Sequence, residues 1–534
     1  MAPERIGKTV LIGLDGATYT ILDPLIELGL MPNLDRLMQE SARAILKSTN
    51  HPLTPPAWTS LMTGRTPGHH GIFDFVRVDR DSETPGYTLA NSADVRSETI
   101  WSIASREGCR VTSLNFPMMF PAPDINGFVI PGYVPWSYLG RAIRPRDLYR
   151  RLREHGTFNA REMSTDWELE RKAVQGLSED QLEEWARFHV IRERHWFDIT
   201  MMLMREEPCD LTAILFDGVD RLQHLCFHLI DPRTAANFTS PDARRAHQLC
   251  LQYFKDLDGY VGEIVAAAGP EAHVVIASDH GFTQAGNTVF YVNTWLEQHG
   301  YLRWANGVEP IDGARLGLNE NDELGGLLDW SATTAFAFTS SSNGIYIRRA
   351  KQSGGPGVAA EDYRAVRDEI KSALLDFKDP ETGLAVLRDV LTADEAFPGP
   401  QSDRAPDLTL ALADFGFQSV LPSKTPVQHR RLPYGTHHPD GIFLSSGPGT
   451  RSGILSDPLR ISDVAASVLY DLGLPIPEDM EGQVPMAAFE DDYLAAHPVK
   501  FGMASNVTEL GRGEELPPEA AAEINERLKA LGYL

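Results

Sequence analysis

Short apolar runs recur along the chain and are separated mostly by longer stretches with a helical pattern. The runs predict strands at residues 8–14, 110–115, 128–131, 211–216, 273–278, 407–413 and 442–445. The clearest helical stretches are residues 178–206 and 242–267. Such alternation is typical of an α/β protein in which helices cover both faces of a mainly parallel central sheet.

The residues that could carry chemistry, described below, span positions 15 to 437, so most of the chain must close around one site. We therefore predict one catalytic domain over residues 1–499, although a length of 534 residues would allow several domains. Residues 132–200 and about 284–430 lie between the functional patches, and we expect them to form cap insertions over the site. Residues 500–534 form a tail.

The tail contains one predicted helix. After Pro517 and Pro518, apolar residues recur at helical intervals and make a single stripe of Ala520, Ile524, Leu528 and Leu531. We expect this helix to dock onto its own domain. A contact within a homo-oligomer is the alternative.

Acidic residues exceed basic ones, with 74 Asp and Glu against 49 Lys and Arg and a net charge of −25. This balance argues against a nucleic-acid groove or an anionic membrane surface as the main partner. The four cysteines, at positions 109, 209, 226 and 250, show no paired short spacing, which argues against a disulfide framework or a cysteine-based zinc module.

The first residues run directly into a predicted strand without the pattern of an export signal. No run of about 18 or more apolar residues occurs, so we expect no membrane span. These features predict a cytoplasmic protein.

Four short patches offer carboxylate and imidazole ligands, and most follow an apolar run or a turn leading out of one. They contain Asp15, Asp220 with His224, Asp279 with His280, and His437. An open α/β sheet places its functional loops at such strand ends. Mixed carboxylate and imidazole ligands suit zinc and similar ions such as manganese. Three Asp and three His divide into two triads, which predicts two divalent cations that clamp a phosphoryl group.

The spacing of Asp220 and His224 places both side chains on one face if the helix continues there. Asp217 ends the preceding strand and is the rival ligand, with capping of the turn as its other role. We prefer Asp220 because of its spacing. Gly281 after His280 permits the turn that would let Asp279 and His280 serve one metal each.

Thr54 is the candidate nucleophile, because prolines at positions 52, 55 and 56 stiffen the loop around its hydroxyl. A threonine hydroxyl needs a base or a metal to act as a nucleophile. Residues 59–64 are predicted to start a helix whose amides could point at an anion. Arg65 beside them could bind phosphate, or be a surface arginine. Asn115 could face the substrate, or serve in a turn.

Taken together, the motifs LIGLDGA, TPPAWTSLMTG, SDHG and YGTHHPDG resemble those of the type I phosphodiesterase/nucleotide pyrophosphatase family of the alkaline phosphatase superfamily, in the same order. The resemblance extends to residues 460–485 and implies an alkaline phosphatase-like fold. It implies one metal site with the nucleophile, formed by Asp15, Thr54, Asp279 and His280. It implies a second metal site formed by Asp220, His224 and His437.

Two positions depart from the family's pattern. His438 follows the ligand histidine where the nucleotide pyrophosphatases tend to carry glycine. After His70, the segment HGIFDF offers Asp74 and Phe75 where those enzymes usually place an asparagine that binds a phosphate oxygen. The substrate class is therefore open.

We hypothesise metal-dependent hydrolysis of a small phosphate ester through a phosphothreonine intermediate. A phosphodiester substrate is expected from the resemblance and from the absence of an obvious basic cluster in the sequence. A phosphomonoesterase and a phosphotransferase or mutase of the same superfamily are alternatives that the motifs do not separate. A sulfatase would need cysteine or serine at the nucleophile position, and a non-catalytic binding protein would not need all seven positions.

Overall fold

The first apolar run forms the middle of a large sheet, and other strands are added on both sides of it. The computed structural model describes residues 7–156, 158–163, 177–311, 313–314, 324–351, 355–430, 434–504 and 517–530. Its strands are β1 Thr9–Leu14, β2 Ala42–Lys47, β3 Val76–Asp79, β4 Gly86–Leu89, β5 Val111–Leu114, β6 Gly127–Ile130, β7 Leu211–Phe216, β8 His273–Ala277, β9 Gly281–Gln284, β10 Thr288–Tyr291, β11 Ala335–Phe336, β12 Gly344–Ile347, β13 Leu387–Thr392, β14 Leu408–Leu412, β15 Phe417–Ser419, β16 Val427–His429, β17 Gly435–His438, β18 Asp440–Ser446, β19 Gly453–Ile454, β20 Leu459–Arg460, β21 Ile476–Pro477 and β22 Phe501–Gly502.

Helices occupy most of the chain between these strands. They are α1 Tyr19–Glu27, α2 Pro32–Glu40, α3 Thr54–Thr63, α4 Pro67–His70, α5 Ile100–Arg106, α6 Trp136–Ala142, α7 Arg146–His155, α8 Ala160–Met163, α9 Glu179–Glu206, α10 Gly218–Ile230, α11 Pro232–Ala235, α12 Pro241–Ala268, α13 Val292–Gln298, α14 Leu324–Leu327, α15 Tyr363–Asp376, α16 Ala393–Ala396, α17 Asp463–Asp471, α18 Asp491–Ala496 and α19 Pro518–Ala530. None of the helices in the described ranges has both the length and the apolar character that a membrane span requires.

The main sheet has the strand order β19-β2-β18-β8-β1-β7-β5-β6, and β20 also pairs with β2. Strand β1 pairs in parallel with β7 and β8, and β5 pairs in parallel with β6 and β7. Strand β18 is antiparallel to both of its neighbours. The carboxyl ends of β1, β5, β7 and β8 therefore meet at one edge of the sheet, which is where the candidate residues follow them.

Both faces of the sheet are covered by helices, as the sequence predicts. Along β1, Val10 and Ile12 belong to one buried core, whereas Leu11 belongs to a second core on the opposite face. Continuous burial on both faces explains why this strand is an unbroken apolar run. The α/β fold class is confirmed.

Many of the strands in the structure are not predicted by the apolar runs, and two differences bear on the main sheet. The apolar runs do not predict strand β2, because buried and more exposed residues alternate along it and Arg43 and Lys47 interrupt its apolar residues. The predicted strand at 407–413 forms as β14, but it belongs to a separate antiparallel sheet of order β11-β12-β14-β13. An apolar run identifies a strand without identifying its sheet, because pairing is set by tertiary contacts.

We call the segment between β9 and β17 the cap. It has its own buried core, which includes Phe290, Trp295, Phe336 and Leu410, and its own sheets. Strands β9 and β17 pair antiparallel, so the chain leaves the main domain and returns to it through one two-stranded ribbon. The insertion predicted at about 284–430 corresponds to this segment, and its role as a cap over the site stays a prediction.

The described parts of residues 132–200 differ from the expected cap. Leu148, Leu152 and Trp185 are buried in the same core as β1 and the helices on that face of the sheet. Helix α9 begins with a capping box in which the Ser178 amide donates to Gln181 Oε1 at 3.0 Å. It packs against α12, so this segment belongs mainly to the helical layer of the main domain.

The tail helix α19 docks onto the main domain. Ile524 packs against a small cluster of Leu53, Phe75 and Val76, and the Tyr87 hydroxyl donates to Asn525 Oδ1 at 3.0 Å. Of the predicted apolar stripe, Ala520 is buried. The side chain of Leu528 and all of Leu531 lie outside the described residues.

Replacing Ile524 with alanine should lower the free energy of unfolding by about 1–2 kcal/mol, because the side chain is half-buried against that cluster. Urea unfolding followed by circular dichroism measures the change. Ala522→Ser, on an exposed position of the same helix, is the matched control and should leave stability unchanged. Equal stability of the Ile524→Ala and wild-type proteins would contradict docking of the helix.

Candidate functional site

Six ligand-type side chains meet at the carboxyl edge of the main sheet. Asp15 follows β1, Asp279 and His280 follow β8, Asp220 and His224 lie on α10 after β7, and His437 lies on β17 opposite Phe282 of β9. The structure therefore brings together six of the sequence-predicted residues from positions 15 to 437.

The first group consists of Asp15, Asp279 and His280, all of which are buried. His280 Nε2 lies 3.3 Å from Asp279 Oδ2 and 3.7 Å from Asp15 Oδ1. One ligand atom from each residue lies within 4.8 Å of the others, a spacing suited to a shared cation.

The second group consists of Asp220, His224 and His437. Asp220 Oδ1 lies 3.3 Å from Nε2 of each histidine, and the two Nε2 atoms are 3.0 Å apart. His280 Nε2 is 4.0 Å from Asp220 Oδ1, and the His280 ring stacks on that of His437 with centroids 3.7 Å apart. His280 therefore lies between the two groups.

Backbone and indole groups orient these ligands. The Gly16 amide donates to Asp279 Oδ1 at 3.1 Å, and the Trp58 indole donates to Asp15 Oδ2 at 3.1 Å. Gly16 has φ +67°, a conformation that glycine adopts without strain. Nδ1 of His437 lies 2.8 Å from the Pro52 carbonyl oxygen, which accepts its proton and leaves Nε2 available to a ligand.

The ligand atoms that face one another have no hydrogen-bond partner. They are Asp15 Oδ1, Asp220 Oδ1, Asp279 Oδ2 and His280 Nε2, all buried, and none is hydrogen-bonded to a residue that the structure describes. Buried polar atoms are normally satisfied, and their exceptions call for an explanation. Convergent, unpaired oxygen and nitrogen atoms fit bound divalent cations, so the residues present are suited to such a site.

The electrostatics of the site also favour cations. Burial and the charge of Asp279 raise the pKa of Asp15 well above its usual range, and burial raises the pKa of Asp279 to about 7. Burial opposes ionisation of Asp220 too, but His224 and His437 hold its pKa low. Burial lowers the pKa of His280 and keeps its imidazole neutral. A cation would relieve the repulsion among these carboxylates.

Thr54 is buried and is the first residue of α3, which corrects the prediction that a helix starts at residues 59–64. Those residues are the end of the helix, which stops at Gly64 with φ +65°. Because positions 55 and 56 are prolines, Thr54 supplies the one N–H group among the first three helical residues. The expected row of amides at an anion site is therefore absent from this helix.

Two hydrogen bonds bracket Thr54 between the ligand groups. Two residues before it, the Pro52 carbonyl binds His437, and one helical turn after it, Trp58 binds Asp15. Residues four apart lie on one face of a helix, so Thr54 and Trp58 share the face that is turned toward Asp15.

Asp217, the rival ligand, is occupied elsewhere. It forms a buried, bidentate ion pair with Arg192, with Nη2 to Oδ2 at 3.1 Å and a second, shorter contact. It is the N-cap residue of α10, and its side chain makes no capping hydrogen bond. The arginine pairing favours Asp220 as the ligand.

Asn115 has φ +65°, and its side-chain amide donates to the Leu215 carbonyl at 2.9 Å and to Asp217 Oδ1 at 3.2 Å. These contacts support the turn role that the sequence left open. Its amide nitrogen is engaged by the protein, which leaves it unsuited to a substrate.

The structure does not bring Arg65 to the site. Arg65 follows the far end of α3, about 15 Å along the helix from Thr54. It pairs with Asp479 at 2.6 Å and with Glu481 at 3.5 Å. The Arg65 guanidinium is thus engaged by two carboxylates, with which a phosphate would have to compete. Neither pairing is visible in the sequence.

Gly281 is required for a reason other than a turn. A Cβ atom at this position would lie 1.9 Å from the Asp440 carbonyl oxygen, so the close approach of β18 excludes any side chain. The backbone at Gly281 lies in β9 and is not in the left-handed region.

Asp74, one of the two positions that depart from the expected pattern, is buried and held by the cap. It accepts hydrogen bonds from the Thr339 hydroxyl at 2.6 Å and the Ser341 hydroxyl at 2.7 Å. Burial raises its pKa to about 6. Asp74 thus joins the main domain to the cap. Its position in the sequence gave no sign of this pairing.

A cavity of about 370 Å³ lies between the second ligand group and the cap. Its lining includes His224 and His437 from the main domain and Ser341, Arg388, Phe415 and Arg430 from the cap. Residues of the cap are thus the ones that sequence reasoning missed, because they lie outside any recognisable motif.

The family described as type I phosphodiesterase / nucleotide pyrophosphatase matches residues 9–440 of this chain. The crystal structure of phosphonoacetate hydrolase from Sinorhizobium meliloti 1021 in complex with phosphonoformate shares 17% identity, with a TM-score of 0.54, over 88% of this chain and 95% of that chain. The crystal structure of wild-type alkaline phosphatase PafA shares 13% identity, with a TM-score of 0.55, over 92% of this chain and 100% of that chain. These structures show a shared fold, and no curated protein matches the chain.

Metal content distinguishes the two aspartates at the end of β7. Purified wild-type protein reconstituted with zinc or manganese should bind about two divalent cations per chain. Asp220→Asn should lower this to about one, whereas Asp217→Asn should retain about two. Elemental analysis of folded, desalted protein measures the ratio. Loss of metal only in the Asp217 variant would reverse the ligand assignment.

Proposed function

The chain belongs to the type I phosphodiesterase/nucleotide pyrophosphatase family, and from that premise we propose that it hydrolyses phosphodiesters through a phosphothreonine formed on Thr54. The family makes it a phosphoric ester hydrolase of the alkaline phosphatase superfamily. Two observations support the proposal: the two converging groups of ligand-type side chains, and the hydrogen bonds that tie Pro52 and Trp58, on either side of Thr54, to His437 and Asp15.

Asp15, Asp279, His280 and the Thr54 hydroxyl would hold one divalent cation, and Asp220, His224 and His437 would hold another. When bound, two such cations supply Lewis acidity that stabilises charge on the attacking and leaving oxygens. The mixture of carboxylate and imidazole ligands favours zinc, with manganese as the alternative.

The chain's own residues orient the reaction. Thr54 Oγ1 attacks phosphorus and loses its proton, and the alcohol of the ester departs with a proton. Water then cleaves the phosphothreonine, and Thr54 recovers its hydroxyl. Burial of Thr54 at the rigid start of α3 holds the oxygen in one place and limits competing water.

A phosphate oxygen also needs a hydrogen-bond donor, and Asp74 does not provide one because Thr339 and Ser341 engage it. Asn115 is likewise engaged by Leu215 and Asp217. The Thr54 N–H at the amino end of α3 is the donor that these contacts leave for this role.

Thr54→Ala should reduce kcat/KM by at least about 10³-fold, because the covalent step is lost. Thr54→Ser should keep measurable activity, since it retains a hydroxyl. Metal content and thermal stability of both variants serve as controls and should match wild type, because the prolines hold the loop. Wild-type turnover by the alanine variant would refute the covalent mechanism.

A diester should have a higher kcat/KM than its matching monoester. Bis-p-nitrophenyl phosphate and p-nitrophenyl phosphate, assayed with zinc and with manganese, make the comparison. The expectation rests on family membership and on the scarcity of donors beside Thr54 for a dianionic phosphate. A clear preference for the monoester would indicate a phosphomonoesterase instead.

A further inference from the structure

Two arginines of the cap line the cavity beside the second ligand group. Arg388 lies on β13, and Arg430 follows β16. Arg388 lies far from the metal-ligand motifs in the sequence, whereas Arg430 lies seven residues before His437. The folding of the cap brings Arg388 to the same cavity. The chain as a whole carries a net charge of −25, so two arginines in one cavity are a local reversal of its charge.

Neither arginine forms an ion pair with a carboxylate in the described part of the chain. The Arg388 guanidinium instead lies over the Phe415 ring, 4.5 Å from its centroid. The Arg430 guanidinium lies over Tyr434 at 4.4 Å and over Phe417 at 5.3 Å. The buried Arg192, in contrast, pairs with a carboxylate.

Stacking on a ring fixes the plane of a guanidinium and leaves its N–H edge available. Planar, oriented guanidinium groups bind carboxylate and phosphate oxygens in pairs of hydrogen bonds. Phe415 and Phe417 are two residues apart, so the two arginines stack on rings that are close in the chain. Asp389 also lines the cavity, but one of its oxygens accepts from the Val390 amide at 2.8 Å.

Burial adds to the need for an anion. Arg430 is half-buried, and burial lowers the pKa of its guanidinium. A partly desolvated cation with no carboxylate partner gains more from an incoming anion than an exposed one does, because less water is displaced. The cavity supplies the space for such a group next to His224 and His437.

We propose that Arg388 and Arg430 bind a second anionic group, a carboxylate or a phosphate, on the ester arm of the substrate that enters the cavity. This inference rests on the proposed function, because it deepens the description of that site's substrate. The substrate class is then a phosphate ester with a further negative charge on one arm. The sequence alone shows no basic cluster, because the two arginines are 42 positions apart in the chain.

The test uses p-nitrophenyl alkyl phosphates whose alkyl arms, in a series of lengths, end in methyl, carboxylate or phosphonate. Each protein's kcat/KM for a charged arm is divided by its kcat/KM for the methyl arm of equal length. Wild type should favour at least one charged length by about tenfold or more. Arg388→Met with Arg430→Met should bring the ratio to about one, and the double lysine variant should restore part of it.

The matched control is Arg194→Met. Arg194 is an exposed arginine outside the cavity that also lies over an aromatic ring, Phe197, and its ratio should equal that of wild type. A wild-type ratio near one at every length, or an unchanged ratio in the double methionine variant, would overturn the inference while diester hydrolysis continued.

Binding separates this inference from the proposed function. Isothermal titration calorimetry of the metal-loaded protein compares 4-carboxybutylphosphonate with pentylphosphonate. Wild type should bind the carboxylate compound about tenfold more tightly, and the double methionine variant should not discriminate. Absence of any diester hydrolysis would refute the proposed function, whereas equal binding of the two phosphonates by wild type would refute the arginine site.

Discussion

Three carboxylates buried around one imidazole are the constraint on which the rest of the site depends. His280 Nε2 lies within 4.0 Å of oxygens from Asp15, Asp220 and Asp279. Charges removed from water are costly unless they are paired, so this cluster is stable only when positive charge or protons offset the repulsion. The surrounding donors, such as Gly16 and Trp58, each satisfy a single oxygen and leave the facing atoms free for a cation.

Two aspartates just after the end of β7 have different partners. Asp217 and Asp220 are three positions apart and both are buried. Arg192, supplied by α9, neutralises Asp217 and leaves Asp220 to face two histidines. The Arg192 ion pair anchors the start of α10, and α10 then projects Asp220 and His224 in one direction. The ion pair of Asp217 with Arg192 thus helps to position the ligand-type side chains of Asp220 and His224, which begin one helical turn further along.

Much of the fold, and the convergence of the six ligand-type side chains, could be predicted because the relevant signals are local. Strands buried on both faces are apolar runs, and Asp15 and Asp279 follow such runs directly. What could not be predicted depends on distant contacts. The apolar run that forms β14 has the same pattern as a strand of the main sheet, although it belongs to a separate sheet. The ion pair of Arg65 with Asp479 and the hydrogen bond of Thr339 to Asp74 have no local signal in the sequence. Arg388 and Arg430 belong to no motif, because their meeting is a property of the folded cap.

The ribbon of β9 and β17 has a consequence for how such enzymes diversify. The chain leaves the main domain at Gln284 and returns at Gly435, and these two residues are register partners. Because the ends of the insertion are already adjacent, the entropic cost of closing it grows only slowly with its length. A cap of different size or architecture can be exchanged at this junction during evolution. The same ribbon holds His437 against His280, so such an exchange would keep these ligand-type side chains together while it changes the residues that line the cavity.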